Sequence, residues 1–236
     1  MERDWADELE RWLQDRFAEL CETIGQPVPL SGLRINPSLG IEESRYFLLG
    51  LEAGLFQPDE EGYVQSELLP SPSTGNTRQT ICQIFWHDPP PRLFRECVCQ
   101  LSTASSLIMK RGWLKSHILM EPDFRDDRDM SYGIDILVKS PTGQILACVE
   151  VKRSVAELQK LITDLQACCK RGAHARDDCG FPQNHPKYEF CAVYKPTYFW
   201  AVAPDADVCF RMKYDDGSIE LEQLISLPPR SMIESP

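Results

Sequence analysis

No stretch of this 236-residue chain approaches the 18 or so consecutive apolar residues that a membrane span needs, so no transmembrane helix is expected. The start, Met1-Glu2-Arg3-Asp4, is acidic and leads into an amphipathic pattern, unlike a signal peptide, so a cytoplasmic location is expected. There is no glycine-rich phosphate loop, which removes the usual indication of nucleotide hydrolysis. There is no CxxC pair and no internal repeat. The four histidines, His87, His117, His174 and His185, are scattered, and no Ser/His/Asp arrangement can be argued from their positions. Lysine is missing from the first 90 residues altogether.

What is present is ordinary for a globular protein: 42% hydrophobic and 26% charged residues, which excludes a collagen, a coiled-coil rod and a wholly disordered chain. The net charge of −11 is uneven. Residues 1–90 carry 16 acidic residues against six arginines, a balance of −10, and the rest of the chain is nearly neutral. Such a field opposes indiscriminate nucleic-acid binding. It does not exclude a local basic site, because exposed charges more than about 8–10 Å apart are largely screened. Two segments qualify: 91–120, with Arg92, Arg95, Lys110, Arg111 and Lys115 against Glu96, and 152–176, with six basic and two acidic residues. The ten cysteines, without a secretory leader, are expected as free thiols that mostly fill apolar space. Cys168, Cys169, His174, Cys179 and His185 have metal-ligand chemistry but irregular spacing. The plainer reading is two thiols on a helix followed by a polar loop.

The pattern of breakers and periodic residues places helices at 3–24 and 42–56, with a Pro/Gly/Ser-rich loop between them. Pro70, Pro72, Gly75 and Pro89-Pro90-Pro91 mark a boundary between an acidic, mainly helical region, 1–90, and a main domain, 91–227. Residues 228–236 read as a disordered tail. In the main domain a helix is expected at 92–110, with Pro91 at its start, then strands at 113–120, 132–139 and 144–152. Ser154 and Glu157 form a capping box for a helix over 155–171, and Lys170, Arg171 and Gly172 close it. Strands are expected at 188–194 and 198–203, and a hairpin at 208–214 and 218–224, turned by Asp215-Asp216-Gly217. The aromatic residues Tyr188, Tyr194, Tyr198, Phe199 and Trp200 fit core positions better than base-stacking ones.

The chemistry concentrates in Asp135 and Glu150-Val151-Lys152. On a strand, Glu150 and Lys152 share a face. Ser140-Pro141-Thr142-Gly143 has type I turn chemistry, and a turn centred there sets Asp135 opposite Cys148 and diagonal to Glu150, about 7–8 Å away on the same face. A one-residue slip would place Asp135 on the opposite face. Two carboxylates about 4 Å apart repel by about 4 kcal/mol at an effective dielectric near 20. A proton, a lysine or a divalent cation relieves that repulsion, and oxygen ligands suit Mg2+ or Mn2+. A cation held there can polarise a phosphodiester and acidify water, and Lys152 can orient that water or stabilise developing negative charge.

The string GIDILVKSPTGQILACVEVK, with Asp135, Glu150 and Lys152, resembles the core motif of the PD-(D/E)XK nuclease superfamily, and the resemblance covers about residues 92–203. It implies an α/β fold with a mixed central sheet flanked by helices, in the restriction-endonuclease-like order αβββαβ. It implies a Mg2+- or Mn2+-dependent nuclease acting on DNA in preference to RNA, with Asp135 and Glu150 holding the metal and Lys152 catalytic. Ile134 stands where many members have proline. Some members add a glutamine on the following helix. Gln159 is the better match, because Gln166 lies roughly 10 Å further along the axis. Some carry an acid on the first helix, for which Glu96 is the candidate, although its place on the helical wheel fits a solvated charge. Glu121 and Asp123 are alternatives at the end of the first strand. Two other readings stay open: a non-catalytic nuclease-fold module for binding or assembly, and an acidic N-terminal region that meets a protein partner or masks a basic face.

Overall fold

The computed structural model describes residues 3–69, 82–125, 128–215 and 217–233. In chain order the elements are α1 (Trp5–Thr23), α2 (Ile41–Glu52), the two-residue strands β1 (Gln57–Pro58), β2 (Val64–Gln65), β3 (Phe85–Trp86) and β4 (Arg92–Leu93), then α3 (Arg95–Met109) and β5 (Ile118–Met120). They continue with β6 (Ile136–Lys139), β7 (Ile145–Val151), α4 (Val155–Arg171), α5 (His185–Tyr194), β8 (Tyr198–Ala203), β9 (Ala206–Asp215), β10 (Ser218–Leu224) and the short α6 (Arg230–Ile233). A six-stranded sheet in the order β10-β9-β8-β7-β6-β5 forms the centre. Its pairs are antiparallel except β7 with β8, which run parallel. Parallel neighbours need a long crossover, here supplied by α4 and α5. Among the described residues, no helix is long and apolar enough to cross a membrane.

The sheet separates two cores. Every residue of β7 is buried, and its side chains alternate between the two sides. Ala147, Val149 and Val151 pack with Ile136 and Val138 against a core that holds Leu9, Leu13, Phe17, Phe47, Val98 and Leu101 of α1, α2 and α3. Cys148 and Leu137 join Leu158, Leu161, Leu165, Phe190 and Phe199 on the side of α4 and α5. The region before residue 90 therefore has no core separate from the sheet: α1 and α2 are the outer cover of α3. The boundary expected at residue 90 does not divide the packing. Its markers Pro70, Pro72 and Gly75 lie outside the described residues.

The helix over 155–171 forms at the expected residues. Ser154 Oγ accepts the Glu157 amide at 3.3 Å, and Gly172, at φ 78°, ends the last turn. Other boundaries move. The second helix stops at Glu52, because Gly54 turns left-handed at φ 64°. The third starts at Arg95 and not at Pro91, because Arg92-Leu93 pair with Phe85-Trp86. Residues 115–117 form a 3-10 turn, which shortens the strand expected over 113–120 to Ile118–Met120. Residues 188–194 are a correction of type, since they lie in helix α5. A short run rich in Tyr, Phe, Cys and Val reads equally as a buried strand or a buried helix turn. Pro186 in the first turn and Lys195 in a left-handed C-cap settle it as a helix. The strand that pairs with β7 is 198–203. The tail is also corrected in part: Leu227 is fully buried, the Arg230 amide donates to the Arg111 carbonyl at 3.0 Å, and α6 follows. Residues 234–236, and Asp216 of the hairpin turn, lie outside the described residues.

A buried ion pair fastens α2 to α3. The Arg95 guanidinium donates to both carboxylate oxygens of Glu43 and to the carbonyls of Pro37 and Ser38, each at 3.2 Å. Glu43 also accepts from the Gly40 amide at 3.1 Å and from Cys99 Sγ at 2.8 Å. Removing one member of such a pair leaves a buried uncompensated charge, so Arg95→Ala is expected to cost about 3–5 kcal/mol of folding stability. Urea denaturation should also show that the Glu43→Leu/Arg95→Met double variant loses less than the two single variants combined; strict additivity would mean the pair is not coupled.

Candidate active site

The hairpin turn has a three-residue loop, Pro141-Thr142-Gly143, closed by the Ser140 amide on the Gln144 carbonyl at 2.8 Å, with Gly143 at φ 85°. A further irregularity falls between Val138 and Lys139. Each adds one residue to the offset between the strands, so Leu137, not Asp135, pairs with Cys148, and Ile136 pairs with Val149. The register is thus two residues from the expected one. A shift of two preserves the face of the sheet, and continuing it one step draws Asp135 level with Glu150.

The result is a cluster at one end of the sheet, where β5 ends, β6 begins and β7 ends. Lys152 Nζ lies 3.3 Å from Glu96, 3.5 Å from Glu150 and 3.7 Å from Asp135, and donates to the Val151 carbonyl at 2.6 Å. Asp135 accepts the Val151 amide at 2.6 Å and Gln100 Nε2 at 3.2 Å. Gln100 also donates to Glu121 at 2.7 Å, and the Glu121 amide donates to the Asp135 carbonyl at 2.8 Å. Glu121 itself sits at φ 45°, a strained conformation for this residue of the kind that gathers at functional sites. On the α4/α5 side of the sheet, the side that Glu150 shares with Cys148, Lys187 of α5 brings Nζ to 3.0 Å from Glu150 while donating to the Gly133 carbonyl. That approach falls outside hydrogen-bond geometry at Glu150, whose two carboxylate oxygens are buried with no hydrogen-bond partner.

Burial is the main force on these groups. It raises Glu150 from 4.5 to about 7, with a further push from Asp135 and partial relief from Lys187 and Lys152. It raises Glu121 to about 7, again helped by Asp135 and opposed by the Gln100 hydrogen bond. Glu96 is pushed up by burial and Asp135 against the pull of Lys152. Burial alone would lower both lysines, but the surrounding carboxylates outweigh it and hold Lys152 and Lys187 protonated. With every group ionised, four carboxylates and two ammonium groups leave a charge of −2, which one divalent cation neutralises. The Glu150 oxygens, ion-paired with Lys187 and Lys152 but accepting no hydrogen bond, and the all-oxygen donor set fit a hard ion.

Asp135, Glu150 and Lys152 are therefore brought together, and Glu96 joins them. The helical wheel misleads for α3 because α3 is covered by α2 as well as by the sheet: eleven other residues of the helix, from Cys97 to Ser105 with Arg95 and Leu107, are buried, polar ones among them. A residue off the apolar stripe of such a helix need not face bulk water. Glu121 enters through Gln100, whereas Asp123 pairs with Arg125 at 2.8 Å. Gln159 and Gln166 lie on the exposed side of α4 and take no part in the contacts just described. Sequence reasoning missed Gln100 and Lys187. A glutamine inside an apolar helix stripe was an available signal for the first; Lys187 had none, because it falls in the polar stretch just before the strand expected at 188–194. No family model, curated protein or solved structure matches the chain.

A carboxyl raised by folding is destabilising when ionised. Its effect is absent below the unfolded value near 4.5 and grows as pH climbs to about 7, so metal-free protein should lose on the order of a few kcal/mol across that window. Chemical denaturation in EDTA from pH 5 to 8 should show a shallower loss, and higher stability at pH 8, for Glu150→Gln. An unchanged slope would mean that Glu150 is not the strained group.

Proposed function

We propose that this protein is a metal-dependent nuclease that hydrolyses phosphodiester bonds in DNA and is built on a restriction-endonuclease-like core. The observation that carries the reading is the placement of Lys152 Nζ within 3.7 Å of Glu96, Asp135 and Glu150 at adjoining strand ends. The element order α3, β5, β6, β7, α4, β8 supports it, being that of the PD-(D/E)XK superfamily with α5 inserted before the last strand. The choice of DNA rests on that resemblance.

Asp135 and Glu150 would hold Mg2+ or Mn2+, with Glu121 beside them. A bound cation of this kind polarises the phosphate and acidifies water. The chain's own groups do the rest. Lys152, kept protonated by its three acids, donates to a phosphate oxygen as negative charge builds there. Glu96, whose side chain is 31% exposed and whose carboxyl is raised, accepts the proton that the attacking water loses. Water adds its oxygen to phosphorus, one P–O ester bond breaks, and solvent returns a proton to the departing oxygen. Arg153, just before α4, and Lys160, in its second turn, each paired with an acid four residues further on, bring positive charge near the flanking backbone.

Incubation with linear, circular and branched DNA in Mg2+, Mn2+ or EDTA tests this reading. Cleavage should require the metal and should fall about 10²–10³-fold in Asp135→Ala and Lys152→Ala. Metal-dependent cleavage untouched by either substitution would assign the activity elsewhere. Folded protein that binds DNA without cutting it would favour a non-catalytic module.

A further inference from the structure

Away from the carboxylates, four side chains close on one point: Cys168 near the end of α4, His174 in the following loop, Cys179 just after the 3-10 turn Arg176–Asp178, and His185 at the start of α5. One ligand atom from each lies within 4.8 Å of all the others. The Sγ atoms of Cys168 and Cys179 are 3.5 Å apart, and Cys168 Sγ is 4.0 Å from His185 Nδ1. Tetrahedral zinc, with Zn–S about 2.3 Å and Zn–N about 2.0–2.1 Å, separates its ligand atoms by about 3.3–3.8 Å. A contraction of about 1.5 Å or less in any pair therefore brings all four to that geometry.

The imidazoles are already oriented for it. His174 directs Nδ1 at the Gly172 carbonyl, 2.6 Å away, which leaves Nε2 buried without a hydrogen-bond partner. A neutral histidine whose one N–H is fixed by a carbonyl presents its other nitrogen as a lone pair. His185, with no exposed surface, turns Nδ1 toward Cys168 and Nε2 toward Glu189, 3.4 Å from Oε1. A carboxylate behind a histidine is a common outer partner of a metal ligand.

We propose that Cys168, His174, Cys179 and His185 bind one zinc ion in a closed tetrahedral site. Two thiolates and two imidazoles select zinc over the hard cations that suit carboxylates. All four positions come from the protein, so the ion is structural. Cys169 is not a ligand; it packs in the core under α4. The intervals of five, four and five residues match no common zinc spacing, because the ligands come from a helix end, a loop, a 3-10 turn and a second helix start. The ion would fasten the 172–184 connection and the start of α5, the helix that carries Lys187 to Glu150.

Metal analysis of the full-length protein, purified under reducing conditions and desalted, tests the proposal directly. One zinc per chain is expected, retained in Asp135→Asn and Cys169→Ser and lost in Cys168→Ser and His174→Ala. Replacement by Co2+ should give the visible bands of tetrahedral cobalt and a thiolate charge-transfer band, which a carboxylate site cannot produce. Stripping the zinc should lower the melting temperature. Wild-type protein that takes up neither zinc nor cobalt with a thiolate band overturns the proposal, as does a folded Cys168→Ser variant that keeps its full zinc. If Cys168→Ser does not fold, the wild-type cobalt spectrum decides alone.

Discussion

A carboxyl group with no exposed surface sits where three strands end, and the surrounding structure is arranged around that fact. Glu150 is held between two lysines, Lys152 just past the end of its own strand and Lys187 from α5. Burial and the neighbouring Asp135 still keep it near neutrality in its proton affinity. Removing one partner from so tight a group shifts the charge on all the others, which makes the site a single electrostatic unit.

The layers on either side of the sheet serve that unit in different ways. On one side, α3 contributes Glu96 and Gln100 and is held by α2 through the Glu43–Arg95 pair. Part of the acidity of the first 90 residues is therefore offset by cations of α3 and its end: Glu43 meets Arg95 in the interior, and Glu42 meets Lys110 at 2.7 Å on the surface. Those same cations had marked 91–120 as a basic surface. Arg111 is likewise occupied, by the Leu227 carbonyl and the ring of Trp200. Because α1 and α2 cover a shared core, removing residues 1–90 would expose apolar surface and not simply unmask a charged face.

On the other side, α5 is the unplanned element. It begins at a cluster of cysteines and histidines and ends two turns later, having passed Lys187 into the carboxylate site. Two regions that look unrelated in sequence, an irregular Cys/His loop and an E-x-K strand, are joined by one short helix. The conformation of 172–184 consequently bears on the position of Lys187, and through it on Glu150.

Local chemistry carried much of this. The Ser154 cap and Gly172 stop fixed α4 to the residue, because both act within one turn of the helix. Alternation placed Glu150 and Lys152, and the aromatic residues of β8 were recognisable as core. The common face of Asp135 and Glu150 was also legible, since a two-residue change of register does not alter it. Register itself was not, because it depended on a left-handed Gly143 and on a bulge at Val138 that only packing reveals. Gln100 and Lys187 came to the site through the tertiary structure, which also set Glu96, named from the resemblance but turned outward by the helical wheel, beside Lys152: burial of a helix on most of its sides, and the packing of α5 on the face that carries Glu150, are decided by contacts between segments distant in the chain. The Cys/His cluster was visible as a group of residues between 168 and 185, but that four of them close on one point was decided by how α4, the loop and α5 fold back on one another.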